Sequence, residues 1–511
     1  MRAETELVRG TTVENRSAAT NVTSALAVHA RQRPDRLALI VDDQTLTFSH
    51  VENVVGRLAT YLAEQQPGGI ALHLPNGLAL ALLVLAAARA GREAQVLDPD
   101  WPLDTTRAVL AALRPALVVS ADSTIAADTL TVRSDATADE LLEVCGAPAQ
   151  PRTMPACDPE APFYVGFTSG STGEPKGFRR SHRSWLESFR GDGIEFGLGN
   201  EDVVLAPGNL THSLFLYALV NGLHAGASVI LCRRFRPNVV PRLIREHRAT
   251  VLYGVPTQIA LIIDAVEERG EGPFPELRWV LSSGAKWFSG FTPRLRRIAP
   301  RARFAEFYGA SELSFVTVAK DGEQIPEGSV GRAFAGVTIT IRDRKGRRLP
   351  TGRTGRVFVE SPLVFSGYAY GSDGGCLHAG NAVSVGDMGY LDEHGFLHLV
   401  GRANRMIVTS GKNLYPEEVE RVLERHPDVA AAAVLAFPDR RRGERIVAII
   451  AAGGDMPRQK DLIAYARGAL PLFKVPRNYG FVREWPLTRS GKTDLAALRR
   501  LWERGAVTKL P

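Results

Sequence analysis

Apolar positions along this chain follow two rhythms. Ala25-Leu26-Ala27-Val28-His29-Ala30, closed by Arg33-Pro34, predicts a helix stopped by proline. Leu37–Val41 and Gln44–Phe48 predict two strands, with Ser49 as the N-cap of a helix over 51–65. A strand over 69–74 and a helix over 78–90 then open a strand–helix alternation, which implies parallel sheets covered by helices. The run Phe163-Tyr164-Val165 predicts another strand. After it, helices over 184–189, 213–223, 239–246 and 258–268 alternate with strands over 202–205, 228–231, 251–253 and 279–282, a second parallel sheet. The segment 126–160 is polar and weakly periodic, so a peripheral excursion is expected there. From 331 to 360 short alternating strands broken by Gly and Pro predict a small antiparallel barrel or distorted sheet. Beyond about Asn404 the chain carries its own strands and amphipathic helices, at 416–424, 429–436, 445–451 and 460–468.

Composition narrows the class. With 511 residues the chain exceeds one ordinary core, and about two to four domains are expected. A hydrophobic share of 45% with 23% charged residues is that of a folded globular protein. The net charge of +7 comes from scattered basic pairs such as Arg296-Arg297 and Arg499-Arg500 without interleaved aromatics. That pattern describes solvated faces and argues against nucleic acid, while the field favours anionic ligands. Cys145, Cys157, Cys232 and Cys376 form no C-x-x-C, so neither zinc nor a disulfide framework is indicated and a reducing, cytoplasmic setting is expected. The first twenty residues lack the apolar core of a signal peptide, and the apolar run 78–88 is too short to span a bilayer.

Candidate chemistry concentrates at Phe167-Thr168-Ser169-Gly170-Ser171-Thr172-Gly173-Glu174-Pro175-Lys176-Gly177. Glycines and hydroxyl residues can turn backbone N–H and side-chain O–H donors toward one point, as a polyphosphate requires, and Lys176 adds a cation. A plain surface turn has the same composition. The Walker spacing is absent, since Lys176 stands between Pro175 and Gly177, and no G-x-G-x-x-G follows a strand. The remaining motifs therefore decide: Tyr308-Gly309-Ala310-Ser311-Glu312, Gly386-Asp387 with Gly389-Tyr390, Gly401-Arg402, and Ser490-Gly491-Lys492.

With the opening loop, these five resemble in order and spacing the adenylate-forming superfamily of acyl-CoA synthetases, adenylation enzymes and beetle luciferases. The resemblance covers roughly residues 20 to 500. It implies an α/β fold: a large N-terminal domain of two helix-covered, mainly parallel sheets plus a small β-barrel-like subdomain, and a small mobile α+β C-terminal domain. The expected domains are 1–402, binding ATP and acid, and 403–511, carrying a catalytic lysine. By resemblance Thr168, Ser169, Gly170, Ser171, Thr172 and Gly173 hold the β- and γ-phosphates with help from Lys176, whose neighbour Glu174 offers an ion pair instead. Ser283, Gly284 and Ala285 would edge the adenine, Tyr308 would pack on it, Ser311 would meet the α-phosphate and Glu312 would hold Mg²⁺. Asp387 and Arg402 would take the ribose. Lys492 would bridge the substrate carboxylate and the α-phosphate, and Gly411 would let a pantetheine thiol pass. His212, with Phe215, Leu216, Val255 and Phe307, would line the acid pocket.

Departures from the usual pattern fall at Asn404, where Asp or Lys is common at the hinge, at Val385, where Thr is common, and at Phe178-Arg179-Arg180, which replaces an apolar–polar sequence. The expected activity is an ATP- and Mg²⁺-dependent acid:CoA ligase that makes an acyl-AMP and then a thioester of coenzyme A. Another acceptor or acid is the alternative: a separate carrier protein's thiol, an amine, or nitrite activated for diazotisation. A non-catalytic nucleotide-binding scaffold is disfavoured, because Glu312, Asp387, Arg402 and Lys492 are all present.

Overall fold

Strand–helix alternation dominates the first three hundred residues. The computed structural model describes residues 20–169, 174–284, 291–371, 376–409, 412–439, 443–454, 456–488 and 493–510. The described residues open with α1 (Ser24–Gln32), β1 (Leu37–Val41), β2 (Gln44–Thr47), α2 (Phe48–Glu64) and β3 (Ile70–His73). Next come α3 (Leu78–Arg89), β4 (Ala94–Val96), α4 (Leu103–Leu113), β5 (Leu117–Ser120), β6 (Thr129–Thr131) and α5 (Ala138–Val144). The hairpin β7 (Pro162–Ser169) and β8 (Pro175–Ser181) leads into α6 (His182–Glu195), β9 (Val203–Ala206), α7 (Ser213–Ala225) and β10 (Ser228–Leu231). Then follow α8 (Val240–Glu246), β11 (Val251–Gly254), α9 (Pro256–Arg269), β12 (Trp279–Ser283), α10 (Phe291–Ile298), β13 (Arg303–Ala310) and β14 (Ser314–Lys320).

Two compact units divide the chain. One holds Met1–Gln324, Gly331–Thr338 and Glu360–Gly374; the other holds Ile325–Val330, Ile339–Val359 and Gly375–Pro511. Within the first unit, one sheet has the order β14-β13-β12-β11-β9-β10-β1-β2. Its central neighbours are parallel, whereas β14 runs antiparallel to β13 and β2 antiparallel to β1. The other sheet, β8-β7-β4-β3-β5-β6, is parallel from β7 onward with β8 antiparallel. Helices α3 and α7 are predominantly apolar and buried along almost their whole length, as helices enclosed on every side must be, although α7 also buries Asn221 and His224.

An aromatic chain joins elements of both sheets. Trp185 on α6 lies 5.1 Å from Phe163 of β7 and 5.5 Å from Tyr217 of α7, and Tyr217 lies 5.1 Å from Phe315 of β14. Truncating a ring of this kind costs about 3–5 kcal/mol, so α6 is anchored where β8 delivers it.

The second unit is antiparallel in its first part. After β15 (Ser329–Ala333), β16 (Thr338–Arg342) pairs with β17 (Gly355–Glu360), and β18 (Tyr368–Tyr370) returns to the first unit to pair with β8. Strands β19 (Leu377–Ala379), β20 (Ala382–Ser384), β21 (Asp387–Leu391) and β22 (Phe396–Arg402) complete the run β19-β20-β17-β21-β22. A short pair, β23 (Ile407–Thr409) with β24 (Lys412–Leu414), precedes α11 (Pro416–Leu423). Then β25 (Val429–Asp439), β26 (Gly443–Ala452), α12 (Gln459–Ala469), β27 (Asn478–Phe481), α13 (Leu495–Glu503) and β28 (Thr508–Lys509) build a four-stranded sheet with helices packed against it.

Several local expectations need correction. The cap of α2 is Thr47, whose hydroxyl accepts from His50 N at 3.2 Å; Ser49 already lies inside the helix. The segment 126–160 contains β6 and α5, the latter with a Thr137/Glu140 capping box. Lys176 and its neighbours form β8, and α6 begins two residues before 184 and continues to Glu195, well past 189.

Candidate nucleotide and acid site

The glycine–serine loop connects the tips of β7 and β8. Thr168 stands opposite Lys176 and Ser169 opposite Pro175, so the loop springs from a regular antiparallel hairpin. Gly170, Ser171, Thr172 and Gly173 lie outside the described residues, as do Ala285, Gly411 and Lys492 and the side chain of Ser169. Phe167 meets Trp101 edge to face at 5.0 Å, which fixes the base of the hairpin.

Among the described residues Lys176 makes no ion pair with Glu174. Its ammonium lies 5.8 Å from the centroid of the Tyr368 ring, within cation–π range. The Tyr368 hydroxyl in turn donates to Glu312 Oε1 at 2.8 Å. Glu312 Oε2 carries no hydrogen bond among the described residues. Thus Lys176, Tyr368 and Glu312 form one continuous arrangement inside the first unit.

Glu312 sits in the tight turn between β13 and β14, and the turn explains the glycine of Tyr308-Gly309-Ala310-Ser311-Glu312. The ladder slips between Tyr308 and Gly309, and a Cβ on Gly309 would stand 2.1 Å from the carbonyl oxygen of Ser314. Only glycine admits that approach of backbone to backbone. Ser314 itself has φ 61°, the left-handed value that ends the turn. Two outside contacts hold it: Phe365 N donates to Glu312 O at 2.8 Å, and Arg180 Nη1 donates to Ser311 O at 3.3 Å.

Ser283 and Gly284 end β12 beside Phe307 and Tyr308 on β13, at the carboxyl ends of parallel strands, where ligands of α/β sheets are received. Ser283 Oγ donates to Phe307 O at 2.8 Å, and Gly284 at φ +95° turns the chain away. Phe307 packs 4.7 Å from Phe315, joining the aromatic chain. His212 is half-buried at the N-cap of α7, with its carbonyl accepting from Phe215 N and Leu216 N at 3.0 and 3.3 Å. Leu216 is fully enclosed, and the Phe215 ring covers Gly208.

Asp387 and Arg402 belong to the second unit. They face each other across β21 and β22, and Arg402 Nε donates to Asp387 Oδ1 at 3.0 Å; the carboxylate is buried while the guanidinium is largely exposed.

Three contributors escaped sequence reasoning. Tyr368 lies in a strand too short to show a period, although its alternation with Tyr370 is a signal in hindsight. Arg180 was visible only as a departure from pattern. Asn76 is buried beside α3, where Nδ2 donates to Gly208 O at 3.1 Å and Cys232 O at 2.6 Å, and Oδ1 accepts from Leu210 N at 2.9 Å. It thereby fixes the loop leading to His212, and a lone Asn before a wholly apolar helix was its trace.

Comparison with known proteins converges on one family. Residues 26–369 match the sequence model of AMP-binding enzymes, and residues 418–492 match that of the AMP-binding enzyme C-terminal domain. The chain belongs to the AMP-binding enzyme family. This AMP-binding enzyme is 38% identical over 496 residues to the uncharacterized acyl–CoA ligase YhfT of Bacillus subtilis, covering 96% of this chain and 100% of that one. It is 31% identical over 366 residues to the fatty acid–[acyl-carrier-protein] ligase ScoC of Streptomyces coeruleorubidus, covering 67% of this chain and 68% of the relative. Its structure resembles that of ATP-bound MatB from Rhodopseudomonas palustris with a TM-score of 0.83 at 25% identity, over 94% of this chain and 99% of MatB. The expected adenylate-forming fold is confirmed, and the AMP-binding enzyme is an AMP-forming, acid-activating ligase. Among the described residues no helix is long and apolar enough to cross a membrane.

Proposed function

We propose that this ligase joins a small carboxylic acid to the thiol of coenzyme A through an acyl-adenylate. An oxygen of the acid's carboxylate attacks the α-phosphorus of ATP, the bond to the β-phosphate oxygen breaks, and pyrophosphate leaves. The thiolate then attacks the acyl carbon, AMP departs, and the thiol proton passes to solvent. The observation that carries this reading is the alignment of Lys176, Tyr368 and Glu312 at the mouth of the glycine–serine hairpin.

Each residue has a role in that chemistry. Thr168, Ser169, Gly170, Ser171, Thr172 and Gly173 present donors to the β- and γ-phosphates, with Lys176 screening their charge. Tyr308 packs against the adenine beside Ser283, Gly284 and Ala285. Ser311 donates to the α-phosphate, and Asp387 with Arg402 receives the ribose hydroxyls. Lys492 places its ammonium where negative charge grows in the transition state. The acid lies against His212 and its apolar neighbours.

The donor set around Glu312 suits magnesium. The carboxylate has one oxygen oriented by Tyr368 and one left for a hard cation, and no group of three metal-ligating side chains occurs among the described residues. Magnesium takes few protein carboxylates and completes its shell with phosphate oxygens and water. When bound it would neutralise phosphate charge; Glu312 is the residue that would hold it.

The proposed hinge follows Arg402, so that residues 403–511 turn between half-reactions, presenting Lys492 first and Gly411 afterwards. Among the described residues Cys145, Cys157 and Cys232 form no disulfide, and burial pushes the thiols of Cys145 and Cys232 up to about 12, which supports a reducing cytoplasm as the proposed setting.

A carrier-protein thiol is the second reading, supported by the likeness to ScoC. Measuring AMP formation over a panel of acids, with coenzyme A, a phosphopantetheinylated carrier protein or an amine as acceptor, separates the two. The proposal expects thioester formation with coenzyme A. Turnover with the carrier alone would replace it, and nitrite-dependent turnover with an aminobenzoate would change the acid.

A further inference from the structure

Arg180 is the most deeply buried cation near the proposed nucleotide site, with 4% of its surface exposed. It has no carboxylate partner among the described residues. Its donors go instead to Ser184 Oγ at 3.1 Å from Nε, to Ser311 O at 3.3 Å from Nη1, and to Leu363 O at 2.7 Å from Nη2. Burial pulls the guanidinium down to about 10, opposed by Tyr164, Tyr217 and Glu312, so it remains charged at neutral pH. Holding an unpaired guanidinium in a core is costly, and an apolar side chain of similar volume is often neutral or better for stability. Packing alone does not account for an arginine here.

The choice of acceptors does. Ser311 and Leu363 come from the two segments that meet at Glu312. The first is the β13–β14 turn itself. The second continues from Leu363 to Phe365, whose N–H donates to Glu312 O at 2.8 Å, and on to Tyr368, whose hydroxyl donates to Glu312 Oε1 at 2.8 Å. One planar fork therefore ties the turn that bears the carboxylate to the segment that orients it. A guanidinium can do this because its donors diverge in a fixed plane; an ammonium has a single centre.

We propose that Arg180 is a positioning residue for the nucleotide site, clamping the Ser311–Glu312 turn against the 363–368 segment so that the Glu312 carboxylate is set for the magnesium of Mg·ATP. This rests on the nucleotide reading above and deepens it. Arg180 touches neither nucleotide nor acid; it acts through Ser311 and Glu312.

The test is calorimetric titration of ATP into the full chain at graded Mg²⁺ concentrations and in EDTA, for wild type, Arg180→Leu, Arg180→Lys and Tyr368→Phe, with thermal melting of each. Loss of an outer partner of a metal-holding group typically costs about 10–100-fold in metal affinity or activity. The Mg²⁺ concentration giving half-maximal ATP affinity is therefore expected to rise by about that factor in Arg180→Leu, with less change in Arg180→Lys, while ATP affinity in EDTA stays near that of wild type. Tyr368→Phe, which leaves the core intact, should move the Mg²⁺ requirement in the same direction even where an Arg180 variant fails to fold. An unchanged Mg²⁺ requirement in the folded variants, or an equal loss of ATP affinity with and without Mg²⁺, overturns the proposal. Absence of Mg²⁺-dependent ATP binding in wild type overturns the nucleotide reading and this inference with it.

Discussion

His182, the first residue of α6, is wholly enclosed. Its ring stacks on Phe163 at 4.9 Å and 18°, and Nδ1 accepts from Val22 N at 3.4 Å. Burial drives its pKa down to about 4, with only Asp158 pulling the other way. The folded chain thus keeps this imidazole neutral while the unfolded chain protonates it below the ordinary value. Stability is then fully present above about pH 6.5 and is lost as the pH falls toward 4. Between pH 7.5 and 5 the loss amounts to about 2 kcal/mol. Urea unfolding at both pH values should show wild type losing about that much more than His182→Asn, which keeps an acceptor for Val22 N. Equal losses would remove the histidine from the account. A motif could name Ser311, Glu312 and Asp387 as candidates from the sequence alone. The partners that set their geometry were not legible there, because Arg180 and Tyr368 acquire meaning only through carbonyls and carboxylates more than fifty positions away.

At the level of elements, the hairpin β13–β14 decides where the candidate carboxylate stands. Gly309→Ala would drive a methyl into the Ser314 carbonyl, and backbone rather than a pliant side-chain tip would have to yield. A cost of about 1–3 kcal/mol is expected, since filled space must be reopened. Displacement of Ser311 and Glu312 should lower pyrophosphate release more than the stability loss alone would. Thermal melting alongside ATP–pyrophosphate exchange checks this; full exchange in a melted-down but folded variant would separate the turn from catalysis. Long parallel elements were readable because a buried strand or amphipathic helix repeats its apolar positions. β8 was not, because Lys176, Arg179 and Arg180 interrupt the apolar alternation that marks a strand, and its order comes from pairing with β7 and β18. The helix α5 was missed despite its signal, Thr137 followed by Glu140 and two leucines.

Across the whole molecule, local pattern gave the classes of element and could not give their partners. β1 pairs with β10 nearly two hundred residues downstream, so the first described strand belongs to the sheet that the sequence reads as the second. The second unit likewise gathers Ile325–Val330 and Ile339–Val359 from within the longer part of the chain, a grouping set by tertiary contact. By resemblance the ordered motifs imply the proposed two-step chemistry, in which the acid is activated before any acceptor is needed. Acid-dependent ATP–pyrophosphate exchange without coenzyme A tests that claim most directly. The account predicts exchange only when a suitable acid is present, and a fall by orders of magnitude in Lys492→Ala while ATP binding persists. Exchange that ignores the acid, or that continues undiminished in Lys492→Ala, would contradict it.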